Sequence, residues 1–452
     1  TISSGSFAAD GIVNSAGASI ANITGLGDTA LAKLDNSGNI GNISAGEITA
    51  LTNNAYANIA NISNLANVGT VTNSKDASIE SISGGKIATK LDNQGIIGTI
   101  SGGEITALEN TGADATNAAR IISIAGGKIT TLTNGQADKI ATIDSISGGT
   151  IETLTNTAGS SIQSISNGVF GKAGSNPSNG APVAESGGLT NNARIGKISG
   201  GRFYNELKNE GEQNKLAKIG EISGGTFTKI TNGVVGDAKS QHSSIDKISG
   251  GNIALLVNAG TGQKDEQATI TEISGGNIAK LQNKGEIKSI TGGNIAEVLN
   301  ESTNSIGDIS GGTISKLDNK AGKINSIGAN AKVNALDNVG GTITNLVLNN
   351  NNIGHNEATK AHINGTVENL SLNAWNLTID GTSAQWNDSN DKNAHIYVAE
   401  GSTVTNASVA NEAITVNVGD NVKSNEVYSF GNVFKSVNST TGASGTAITS
   451  LQ

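Results

Sequence analysis

Few residues in this chain have the types and spacing that chemistry demands. The four histidines are His242, His355, His362 and His395; none is paired at zinc-ligand spacing, and cysteine is absent. Among the acids, Asp265 with Glu266, and Glu206 with Glu210 and Glu212, are the densest groups. Paired carboxylates in a groove are what glycan cleavage needs, one protonating the leaving group and the other attacking or activating water. Both groups here are interleaved with lysine and lie in or beside irregular stretches, which reads as solvated charge. "GLGDTA" (25–30) matches a G-x-G-x-x-A phosphate loop in letters only. It sits inside a repeat, not at a strand-to-helix turn. No G-x-S-x-G elbow or Walker A phrase occurs, and the Ser-Gly-Gly phrases lack the Asp of calcium-binding nonapeptides. The expectation is a chain that is not an enzyme and holds no cofactor and no metal.

What the sequence offers instead is repetition. In "SIESISGGKIATKLDNQGIIGTISGGEITALEN" (78–110), Ile82, Gly84, Gly85, Ile87, Leu91 and Asn93 return as Ile100, Gly102, Gly103, Ile105, Leu108 and Asn110. The consensus I-x-x-I-S-G-G-x-I-x-x-L-x-N-x-G recurs every 17 to 20 residues from about residue 20 to 338, with longer steps where residues are inserted. So short a unit cannot bury a core alone and must stack on its neighbours. Two glycines per unit would cost a helix roughly 1 kcal/mol each, so helical repeats are excluded. Apolar spacings of three, five and four fit neither a straight strand nor a helix. They fit short strands broken by corners.

The reading is an all-β, right-handed parallel β-helix of about twenty coils, with a divergent C-terminal β section. Residues 1–338 form the repeat region and residues 339–452 the divergent, capping section, which holds six of the twelve aromatics, including Trp375, Trp386 and Tyr397. Within a coil the Ile and Leu point inward, worth roughly 1.5–3 kcal/mol each when buried. The glycines turn the corner. Ser83 and Asn93 recur in fixed register, and Asn is read as a turn residue or internal ladder in preference to a ligand-facing row.

Composition agrees. Hydrophobic residues are 35% but aromatics only 3%, as a narrow interior would require. A net charge of −9 without basic clusters makes nucleic acid an unsuitable partner. No apolar run is long enough for a membrane-spanning helix. With no Met and no signal peptide, the chain reads as a mature or excised fragment. Most insertions follow the Asn. The largest, 171–188, follows the corner instead and contains Asn176, Pro177, Pro182 and Glu185, the candidate partner-binding loop.

The I-x-x-I-S-G-G-x-I-x-x-L-x-N phrase, with the altered stretch after 338, resembles the passenger domains of vacuolating-cytotoxin-like autotransporters of epsilonproteobacteria. The resemblance implies type V secretion, a place outside the cell or on the Gram-negative cell surface, and a role in adhesion or colonisation. It implies a host-surface protein or glycan as partner, or self-association, and contact with the membrane only through a translocator barrel that this sequence does not contain. A self-assembling fibre or layer is the second reading, and a glycan-degrading β-helix the third.

Overall fold

The structure, a computed structural model, describes residues 1–3, 7, 11–26, 30–174, 186–212, 215–237, 242–261, 267–302, 305–349, 360–373, 377–380, 394–398, 403–409, 416–418 and 437–439. Every regular element among them is a β-strand, and the strands pair in parallel as stacked coils of a β-solenoid.

One coil shows how the phrase folds. The strand Ala141–Ile146 leads into the corner Ser147-Gly148-Gly149, then the strand Thr150–Asn156, then a turn to the next coil. Ile143, Ile146, Ile151 and Leu154 are all buried. Residues three apart on a straight strand face opposite sides, so the chain must bend between Ile143 and Ile146, and again between Ile151 and Leu154. The pairing register skips Asp144 and Glu152, as such bends require. Each inward residue lies beside its equivalent in the next coil: Ile146 pairs with Ile124 and Ile165, and Leu154 with Leu132 and Leu189. The phrase tolerates one extra residue. Between Ile87 and Leu91 the spacing is one longer than between Ile105 and Leu108, and a register shift there absorbs it.

The chain divides into two units, Thr1–Thr231 and Asn232–Gln452. In the first, the strands Ser78–Asn93 and Ile96–Asn110 pair along their lengths. Its interior also holds three phenylalanines. Phe170, Phe203 and Phe227 replace Ile after the corner in consecutive coils, fully buried, with ring centroids 4.5 Å apart at each step and planes within 8° and 14°. A narrow interior therefore does admit aromatics, provided each lies flat on another.

In the second unit, the strands Thr269–Asn283 and Glu286–Asn300 match Ile to Ile and Asn to Asn. Parallel pairing continues where the phrase dissolves: Ile343 pairs with Val367 and Leu346 with Leu370, all buried. Of the late aromatics, Trp375, Trp386, Tyr428, Phe430 and Phe434 lie outside the described residues. The coils number about sixteen, fewer than the twenty expected. Dividing length by period overcounts because insertions lengthen the chain without adding a rung.

Candidate functional site

The asparagine that closes each phrase turns inward. Ten of them form one hydrogen-bonded column in the first unit: Asn14, Asn36, Asn53, Asn73, Asn93, Asn110, Asn134, Asn156, Asn191 and Asn209. Six do so in the second: Asn232, Asn258, Asn283, Asn300, Asn319 and Asn338. Each Nδ2 donates to Oδ1 of the next at 2.6–2.9 Å. Most of them also donate to a main-chain carbonyl one coil further on, as from Asn53 to Ser78 O at 2.8 Å and from Asn134 to Ser161 O at 3.0 Å. All sixteen are buried. None has positive φ, so left-handed turn geometry is not why Asn stands here. An amide can both accept and donate along the axis, and that two-sidedness is what a buried, repeating polar column needs. The column is therefore internal and not an outward-facing row.

The corner uses its two glycines differently. Gly85 and Gly103 have φ of 80° and 86°, the left-handed region. Gly84 and Gly102 do not. A Cβ on Gly102 would meet the Ser83 carbonyl oxygen of the neighbouring coil at 2.4 Å, so close stacking, not the turn, demands glycine there. Ser83 does not ladder with Ser101; its Oγ donates to Asn61 Oδ1 at 3.0 Å.

Asn176, Pro177, Pro182 and Glu185 lie outside the described residues. Their stem does not. Residues 171–187 stand where the preceding coil has Glu152 alone, because Ile151 pairs with Phe170 and Thr153 with Gly188. An antiparallel bridge between Lys172 and Ser186 pinches the insertion shut at its base, with Lys172 N donating to Ser186 O at 2.7 Å. Other insertions close likewise, through Gln136 and Lys139, Glu212 and Lys215, and Gly260 and Gln267.

Of the acids singled out, Asp265 and Glu266 are outside the described residues. Glu206 is not arranged as an acid catalyst. Its burial alone would raise its pKa, but hydrogen bonds from Thr231 and Lys229, with the charges of Lys229 and Lys208, together hold it below the ordinary glutamate value. Lys229 Nζ lies 2.9 Å from it, and Lys208 is 3.9 Å from Glu210. A general acid needs the opposite shift. In "GLGDTA", Leu26 is buried, a Cβ on Gly25 would meet Ser3 O at 2.5 Å, and residues 27–29 lie outside the described set. Among the described residues no three His, Asp or Glu come together as a metal-holding group.

Sequence reasoning passed over one exposed residue, Tyr56, which is 85% exposed at φ 65°. Its signal was available: an aromatic at a turn position that elsewhere carries Gly or Asp. No protein-family model, no curated protein and no solved structure matches the chain.

Proposed function

We propose that this chain is an extracellular β-helical passenger, similar to those of vacuolating-cytotoxin-like autotransporters, which acts in adhesion or colonisation by presenting loops and outward faces to a partner. The single observation that carries the reading is the asparagine column. Every rung is satisfied by chain that lies 17 to 35 residues away, as between Asn36 and Asn53 or Asn156 and Asn191. A coil can therefore close on the one before it without waiting for distant sequence, which suits a chain that folds while emerging from a secretion pore. Absence of cysteine fits the same route, since no disulfide can lock the chain before export. The pinched insertions supply places for contact that do not disturb the coils.

The test is display of the chain on Gram-negative cells through a translocator barrel. Protease shaving of intact cells should remove it, and displaying cells should bind cultured epithelial cells more than barrel-only cells do. Equal binding by the two strains would overturn the adhesive role.

A further inference from the structure

Tyr56 occupies a place its chemistry does not suit. In four coils the column asparagine is followed by the same turn, closed by a main-chain bond from the fourth residue to the first: Ala18 to Ser15, Ala57 to Asn54, Ala77 to Ser74 and Ser160 to Thr157, at 2.9–3.1 Å. The third residue of each has positive φ: Gly17 at 77°, Tyr56 at 65°, Asp76 at 64° and Gly159 at 90°. Gly and Asp tolerate that geometry, whereas a bulky aromatic is an outlier there. The ring is also 85% exposed, so packing does not offset the strain. An exposed, strained aromatic points toward use.

Its surroundings are polar, with one acidic neighbour: Asn58 Nδ2 donates to Glu80 Oε1 of the next coil at 2.9 Å. From Asn36 to Ser74 only Glu47 is charged, whereas the next 36 residues, 75–110, carry eight charges. The outward rows of these coils read Ser19, Asn39, Asn58, Ser78 and Asn22, Asn42, Asn61, Ser81. Several are held in place by one another: Ser78 Oγ donates to Asn58 Oδ1 at 2.8 Å, and Asn61 Nδ2 to Asn42 Oδ1 at 3.1 Å. The exposed Asn39 amide has no side-chain partner among the described residues. The next turn, whose Asp76 carbonyl accepts from Tyr56 N at 3.2 Å, carries Lys75 and Asp76, opposite in sign.

From these the geometry points to a carbohydrate-binding surface for an uncharged glycan, with Tyr56 as platform and Asn58 and Asn39 as hydrogen-bonding groups. A pyranose presents a C–H face that lies on an aromatic ring, and adjacent hydroxyls that a carboxamide can meet with one donor and one acceptor. An anionic glycan would find no cationic cluster on this strip. The inference rests on the adhesive reading, and gives it a ligand class.

The full chain is applied to an array of neutral glycans (glucose, galactose and N-acetylglucosamine types) beside sialylated and sulfated ones, and positive members are titrated. Binding should be confined to neutral members. Tyr56→Gly, compatible with this turn as Gly17 and Gly159 show, should keep the unfolding midpoint and weaken binding about tenfold or more, while Tyr56→Trp retains it. No binding, binding to anionic members alone, or binding unchanged in Tyr56→Gly would overturn the site. So would a concentration-dependent mass that Tyr56→Gly abolishes, which would make the strip a contact between copies. Cells displaying Tyr56→Gly separate the two readings: undiminished adhesion sinks the glycan site and spares the adhesive role, and glycan binding without cell adhesion does the reverse.

Discussion

Two asparagine columns can be set side by side. The inner one, exemplified by Asn73, Asn93 and Asn110, is buried, and its amides donate forward along the chain at 2.7 Å. The outer one, Asn252, Asn277 and Asn294, stacks in the same parallel register just after the corner, but is exposed and donates backward at 3.0 and 3.1 Å. The residue and the stacking are shared; burial and the direction of donation separate them. Water competes for the outer amides, so their bonds contribute little. Water does not reach the inner amides, so losing one leaves its neighbours' amide groups short of a partner, at about 1–3 kcal/mol per unsatisfied group. Repetition in sequence is thus a poor guide to energetic weight.

The contrast between inside and outside can be broken most severely at Ile146. Ile146→Asp places a carboxylate between Ile124 and Ile165, at a cost of about 4–5 kcal/mol or more, and the β-sheet circular-dichroism signal should be lost or its melting greatly lowered. Ser145→Asp, one residue earlier and half-buried, should melt close to the parent. Next is Asn93→Asp. The new oxygen faces the acceptors Asn110 Oδ1, Gly95 O and Arg120 O, and urea denaturation should show a loss of about 3 kcal/mol at neutral pH. This buried carboxyl would have a folded pKa above its unfolded value near 4, so the deficit should grow as pH rises from about 4 and shrink as it falls, when the protonated group donates again.

Gly102→Ala should cost about 1–3 kcal/mol in the same assay, since the Ser83 carbonyl must move away from the added Cβ. The smallest effect belongs to the outer column: Asn277→Ala should stay within about 0.5 kcal/mol of the parent. If Asn277→Ala were as damaging as Asn93→Ala, burial would not be what distinguishes the columns.

Much of the interior was legible. Ile82, Ile87 and Leu91 are buried as the spacing implied, and Leu91 and Asn93, two apart on one strand, share a face. Five column members were harder to see. Asn14 begins from a truncated phrase, and Asn73 ends a coil without Ser-Gly-Gly. Asn191 is parted from its corner by the insertion. Asn258 and Asn300 follow Val257 and Leu299 where the phrase usually has a polar residue. The phenylalanine stack escaped because its warrant is coil-to-coil alignment, which connects residues 24 to 33 apart. Tyr56 escaped because its signal, an aromatic where sister turns carry Gly or Asp, shows only once those turns are aligned with one another.

By itself the sequence determined that short strands stack and which side chains they bury, because a period under twenty residues cannot form a core alone and alternation fixes each face between bends. Only the tertiary structure decided the direction of the amide column, the separate tasks of the paired glycines and the strain at Tyr56. Those depend on how closely one coil lies on the next, and on backbone angles that neighbouring coils impose.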